Sequence, residues 1–199
     1  MAIDLFGLIA DRYDHVFRYE GPAELLAALQ PEAGDRILDV GGGTGRVSGM
    51  FEPGLDTLLV DPSAGMLREA AGKGLRSACA VAEHLPFADA GFARIILVDA
   101  LHHVDSQDRT ASELLRVLAP GGRLVIDEPD IDRIVVKVIA LFERLLGMNS
   151  RFLSRMHAMT LFEQAGAASV QAHLTKGASY RLVVMRGDPA ACLEATDAS

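Results

Sequence analysis

Residues 37–45 read Ile-Leu-Asp-Val-Gly-Gly-Gly-Thr-Gly. An apolar run that carries one acid and opens straight into glycines constrains this chain more than any other feature. Residues 37–40 suit a buried parallel strand, and Gly41, Gly43 and Gly45 alternate so that a ligand meets backbone rather than side chains. A second apolar run, residues 57–60, ends in Asp61 about twenty residues past Gly41. In a doubly wound α/β fold that is the place of an acid that binds a ribose. Asp61 also fits a plainer role, as the N-terminal cap of a following helix.

Composition narrows the classes. A chain of 199 residues suits one domain that buries roughly 70% of its unfolded surface. The net charge of −8 and the lack of clustered Lys and Arg argue against a nucleic-acid partner. Cys79 and Cys192 lie far apart and form no metal signature. No basic-then-apolar leader follows Met1, and no apolar stretch reaches about eighteen residues, so the expectation is a cytoplasmic protein without a membrane span.

Apolar periodicity and turn residues predict alternating elements. Residues 1–20 read as a short amphipathic helix, and Pro22 opens another through Leu29. Strands are expected at 37–40, 57–60, 75–81, 93–98 and 123–127, the third at a sheet edge. Helices are expected at 46–51, 62–71, 106–118, 131–146 and 155–165. In the fourth of these, apolar residues at 131, 134, 135, 138, 139, 142, 145 and 146 predict a face packed on the core, with a lid or a dimer contact as other uses. Strands 169–175 and 180–186 close the chain as a hairpin. The pattern is one α/β domain: a doubly wound, Rossmann-like, mostly parallel seven-stranded sheet ending in an antiparallel pair.

Five words stand in order along the chain: Leu-Asp-Val-Gly-Gly-Gly-Thr-Gly (38–45), Val-Asp-Pro-Ser (60–63), Ala-Glu-His-Leu-Pro-Phe (82–87), Asp-Ala-Leu-His-His-Val (99–104) and Leu-Ala-Pro-Gly-Gly-Arg-Leu (118–124). With them the chain resembles class I S-adenosylmethionine-dependent methyltransferases, in particular the small-molecule group that includes the quinone-biosynthesis enzymes. The resemblance implies one domain over 1–199: a helical cap (1–30), a cofactor core (35–130), a helical insertion (131–166) and the hairpin (167–187).

It also implies roles. Gly41, Gly42, Gly43, Thr44 and Gly45 would pass beneath the methionyl part of S-adenosylmethionine. Asp39 would partner its ammonium or brace the loop, since a buried carboxylate needs a partner. Asp61, with Pro62 beside it, would hold the ribose hydroxyls, and Met66 would cover the adenine face. Ala82 and Glu83 would form the adenine rim, although Val81 stands where the family commonly has a polar residue. Asp99 and Ala100 would line the methionyl side, and Tyr13 would fold over the bound cofactor.

The implied reaction is methyl transfer to a small-molecule acceptor, with in-line positioning as the main task. His103 is the candidate base and His102 the reserve, so turnover would fall below a pKa near 6.5. Both histidines as structural residues is the competing reading. Neither makes a metal site, because no further His, Cys or carboxylate completes a set. Glu128 would cap the 131–146 helix or reach the acceptor. A non-catalytic cofactor-binding module and a nicotinamide-dependent oxidoreductase are the rival functions, and a homodimer is the expected partner state if one forms.

Overall fold

In a computed structural model, the chain is described at Gly7, Ala10, Asp14 and Tyr19, and over residues 21–52, 54–145, 150–175 and 177–188. The expected helix over 1–20, Tyr13 within it, and Cys192 lie outside the described residues, apart from the four positions named.

Seven strands form one sheet: β1 (Arg36–Val40), β2 (Asp56–Asp61), β3 (Arg76–Cys79), β4 (Phe92–Val98), β5 (Leu118–Pro129), β6 (Ser169–Leu174) and β7 (Ser179–Met185). Their order is β3-β2-β1-β4-β5-β7-β6. β1 to β5 are parallel, while β7 runs antiparallel to both β5 and β6. β1, β4 and the middle of β5 are buried almost throughout, which is why they read as continuous apolar runs rather than alternating ones. β3 is one edge, β6 the other, and β3 is correspondingly less apolar.

The described helices are α1 (Pro22–Leu29), α2 (Ala64–Gly72), α3 (Gln107–Val117), α4 (Ile134–Leu145) and α5 (Arg155–Gln164). α1 has Pro in its first turn and buries Leu25 and Leu29 against Ile37, Ile96, Val125 and Val183. On the other sheet face, Leu114 and Leu115 of α3 and Ala158 and Phe162 of α5 join Leu38, Ile95, Leu124, Ile126 and Leu182. Ser63, Ser106 and Ser154 cap α2, α3 and α5, each accepting the N–H three residues on, as short hydroxyl side chains do at helix starts.

Two expected elements come out differently. Residues 46–51 form no α-helix; the chain runs through turns into a 3₁₀ turn at Ser48–Met50. Gly45 precedes and Gly49 interrupts so short a segment that nucleating a helix costs more than its few bonds return. α4 has the expected period with the opposite face inward. Val136, Ala140 and Glu143 point toward the protein, while Ile134, Val135, Val138, Leu141, Phe142 and Leu145 are each more than half exposed.

Candidate functional site

The first crossover leaves β1 toward β2, and β4 lies on the opposite side of β1, so a crevice opens at the carboxyl ends of these neighbours. It holds a cavity of about 510 Å³ lined by Asp39, Gly41, Gly42, Gly43, Asp61, Pro62, Met66, Ala82, Glu83, Asp99, Ala100 and His103. All twelve were singled out from sequence. Arg46, Ser63 and Asp105 also line it and were not, and so does Val81, noted from sequence as a departure from the family pattern. Thr44, Gly45 and His102, expected at the site, are not among its lining residues.

The floor is built by close approach. Gly41 has φ +67°, and a Cβ there would stand 2.6 Å from that of Ala100, so the end of β1 presses directly on the end of β4. Gly43 (φ +57°) differs: its nearest neighbour would be Met66 Sδ at 3.9 Å. The protein's own packing therefore leaves the space above Gly43 open toward the cavity.

Asp61 ties this loop to the second strand. Its Oδ2 accepts the Gly43 N–H at 3.0 Å and its Oδ1 the Ser63 N–H at 2.8 Å. The cap of α2 is Ser63, whose Oγ accepts from Met66 N at 3.2 Å, so the capping alternative for Asp61 does not hold. Asp39 is 2% exposed, and its Oδ2 accepts a hydrogen bond from the Ser48 hydroxyl. Burial, with the nearby Asp61 charge, pushes its pKa up to about 6 against the help of Ser48 and Arg46.

Thr44 faces away from the cavity contacts. Its hydroxyl donates to Asp14 Oδ1, and Lys73 reaches both Asp14 Oδ2 and, at 2.8 Å, the Thr44 carbonyl. Asp14, next to Tyr13 in sequence, is thus tied to the glycine loop. Gly45 is explained by packing too, since a Cβ there would meet Leu75 Cδ1 at 2.0 Å.

On the β4 side, Asp99 adopts φ +51°, an uncommon backbone state for a non-glycine residue. It receives Arg46 Nη2 at 2.9 Å. Burial and the Glu128 charge raise its pKa despite Arg46. Glu128 organises the turn after β4: Oε1 accepts the N–H groups of Ala100 (2.6 Å) and Leu101 (2.7 Å), and Oε2 meets His102 Nδ1 at 2.6 Å. It neither caps α4 nor lines the cavity. Glu83 accepts the Ser106 N–H at 3.0 Å, which binds the expected adenine rim to the start of α3.

The adjacent histidines diverge. His102 is 5% exposed and stacks on Phe152 with ring centroids 4.2 Å apart. Burial disfavours its charged form, but Glu128 and Asp99 outweigh that and raise its pKa. It does not line the cavity, unlike its neighbour. His103 lines the cavity, with Nδ1 3.2 Å from Ser150 Oγ. Burial and the neighbouring His102 lower its pKa to about 3, below the 6.5 expected from residue type. The structure also supplies the carboxylate that sequence spacing did not: Glu143 approaches both histidines.

A second cavity, about 600 Å³, adjoins the first through Asp99 and is lined by Tyr19, Glu24, Asp127, His173, Thr175 and Arg181 among others. Arg181 clasps Asp127 at 2.7 and 2.6 Å, and Tyr19 donates to the same carboxylate at 2.6 Å. The signal for it was present, as charged residues inside otherwise apolar strand runs.

Residues 38–126 match the family described as Methyltransferase domain. The chain is 37% identical over 139 residues to a demethylmenaquinone methyltransferase of Thermobifida fusca, covering 62% of this chain and 59% of that one. It is 35% identical over 108 residues to a ubiquinone/menaquinone biosynthesis C-methyltransferase of Pseudomonas paraeruginosa, covering 48% and 42%. The chain thus spans about half the length of these curated relatives. In fold it is similar to a Thermotoga maritima S-adenosylmethionine-dependent methyltransferase described as a possible histamine N-methyltransferase, with TM-score 0.78, 23% identity, and 91% and 98% of the two chains covered. The matched segment holds the glycine loop, the acid ending β2 and the histidine turn after β4, and over it the chain is similar to the Methyltransferase domain family.

Proposed function

We propose that the chain transfers the methyl group of S-adenosylmethionine to a small, apolar, quinone-like acceptor. The observation that carries this reading is the cavity itself, where an open glycine turn, a desolvated Asp39 and the Asp61 carboxylate converge. Asp39, costly to bury as an ion, gains a partner in the cofactor's ammonium. The carboxylate of Asp61 is fixed by two backbone N–H groups, and its remaining lone pairs accept from the ribose hydroxyls. Met66, buried beside it, covers the adenine face.

The sulfonium is a good leaving group, so these residues act by positioning. The acceptor's electron pair forms the new bond to the methyl carbon. The carbon–sulfur bond breaks, and its pair stays on sulfur as S-adenosylhomocysteine leaves. His103 stays neutral at ordinary pH and takes the acceptor's proton. Its low basicity suits an acceptor that is already acidic or an activated carbon. The apolar, exposed face of α4 and the names of the curated relatives support an apolar acceptor.

Calorimetry with S-adenosylmethionine, S-adenosylhomocysteine and NAD tests the cofactor. Saturable binding of the first two and none of NAD is expected; the reverse result removes the proposal in favour of an oxidoreductase. On an acceptor found by following S-adenosylhomocysteine release, His103→Ala is expected to lower turnover about 10²-fold, the lower end for a general base, with cofactor affinity unchanged. Tight cofactor binding with no acceptor among quinols, phenols and amines would favour a non-catalytic module.

A further inference from the structure

The inward face of α4 carries Val136, Ala140 and Glu143, and the last of these has no ordinary reason to be there. A helix with one acid normally turns it to water, because desolvating a carboxylate without a partner costs several kcal/mol. Here Glu143 Oε2 is buried and has no hydrogen-bond partner among the described residues. It faces the two adjacent histidines, whose ring centroids are 3.9 Å apart. One ligand atom from each of His102, His103 and Glu143 lies within 4.8 Å of the others.

We propose that His102, His103 and Glu143 form a binding site for one borderline divalent cation, of the Zn²⁺, Fe²⁺ or Co²⁺ kind, at the acceptor side of the cleft. Bonds of about 2.0–2.2 Å to nitrogen and oxygen put tetrahedral ligand atoms roughly 3.4 Å apart, so the three groups need to close by no more than about 1.5 Å. Two imidazoles and one carboxylate favour these metals over Mg²⁺ or Ca²⁺, which prefer all-oxygen shells. The outer shell that such sites require is present: Glu128 holds His102 Nδ1 at 2.6 Å, and Ser150 lies 3.2 Å from His103 Nδ1, which fixes both rings. Three protein ligands leave coordination positions for a substrate. Because His103 lines the cofactor cavity, those positions belong to the acceptor, and the ligand class narrows to molecules with an oxygen able to bind metal. A loaded cation engages the lone pair of His103, so acidification of the acceptor hydroxyl passes from imidazole to metal. The placement of the acceptor rests on the methyltransferase reading; the cation site itself does not.

The test uses the full chain, stripped with chelator, titrated with Zn²⁺ by calorimetry and with Co²⁺ by visible absorption. One equivalent with micromolar or tighter affinity is expected, with Co²⁺ bands of a low-coordinate site. Glu143→Gln keeps shape and removes the charge; it should weaken binding at least tenfold and leave circular dichroism and S-adenosylhomocysteine affinity unchanged. No saturable binding, or unchanged affinity in Glu143→Gln, overturns the site. S-adenosylhomocysteine titrated into the same samples separates the two proposals. Cofactor binding without Zn²⁺ binding sinks the cation site alone, and the converse sinks the cofactor reading alone.

Discussion

The end of β2 and helix α4 face the same cleft and are built in opposite ways. At the end of β2 the polar groups are matched within the chain: both oxygens of Asp61 receive backbone N–H groups, and Ser63 serves Met66. On α4 little is matched. Its large apolar residues stand in the open, Ile134 80% and Leu145 76% exposed, while a buried carboxylate oxygen of Glu143 has no hydrogen-bond partner among the described residues. The first region is satisfied by the chain's own groups and the second is not; on the proposed reading, cofactor recognition belongs to the β2 side and acceptor choice to α4.

Between them stands Glu128, and removing it should give the largest effect on the matched side. Glu128→Ala would leave the Ala100 and Leu101 N–H groups unserved and His102 without its carboxylate. A buried pair broken on one side costs about 3–5 kcal/mol, and denaturant unfolding would read this as a lower midpoint. A loss under about 1 kcal/mol, the ordinary worth of one hydrogen bond, would mean that the turn after β4 holds itself.

Asp61→Ala tests the same side at the ligand. Cofactor affinity should fall by about 1.5–3 kcal/mol, the range for hydrogen bonds to a charged group. Stability should fall as well, by about 1–3 kcal/mol, because the Gly43 and Ser63 N–H groups lose their acceptor. A stability loss with unchanged affinity would make Asp61 a brace for the loop only.

The matched region is also where the sequence was readable. Residues 37–40 and 57–61 announce themselves because a parallel strand buried on both faces must be apolar along its whole length, and an acid at its end is then conspicuous. The local rules failed where the outcome depends on distant partners. Residues 46–51 looked helical until their glycines favoured turns. Apolar periodicity found α4 but not its orientation, since burial is normally what tells the faces apart. Asp14 on Thr44, Glu128 on Ala100 and Glu143 on the histidines join residues roughly 30 to 40 positions apart, beyond the few-residue spacings that helix and strand periods can read.

Asp39 gives a subtler contrast through pH. Its pKa in the free protein is raised to about 6 by burial, and a cation beside it favours the ionised form. Below that pKa the free protein therefore holds a proton that cofactor binding must expel, and affinity should fall by up to about tenfold per pH unit as pH drops. Above it affinity should level off. Calorimetry around that pKa, in buffers of different ionisation enthalpy, should show proton release on binding. Flat affinity from about one pH unit below it to one above would mean that the ammonium sits elsewhere.

The smallest effect on the fold should come from α4, where the contrast is sharpest. Leu141, 60% exposed, contributes little buried area, so Leu141→Ser should change stability by no more than about 0.5 kcal/mol, as at other surface positions. An ordinary surface residue would then show nothing further. If α4 covers an apolar acceptor, the same change should raise KM for a quinone-like substrate several-fold, because each lost methylene of apolar contact costs about 0.8 kcal/mol. S-adenosylhomocysteine affinity should not move if that ligand, as proposed, rests on the β2 side. A polar acceptor tried in parallel would show an unchanged KM. Were Leu141→Ser to destabilise the protein by about 2 kcal/mol or more, as a buried Leu would, the exposed stripe would be packed in solution, and α4 would belong with the core or with a second copy of the chain. Unchanged stability with unchanged KM on an apolar acceptor would instead detach α4 from substrate choice and leave recognition to the residues around His103.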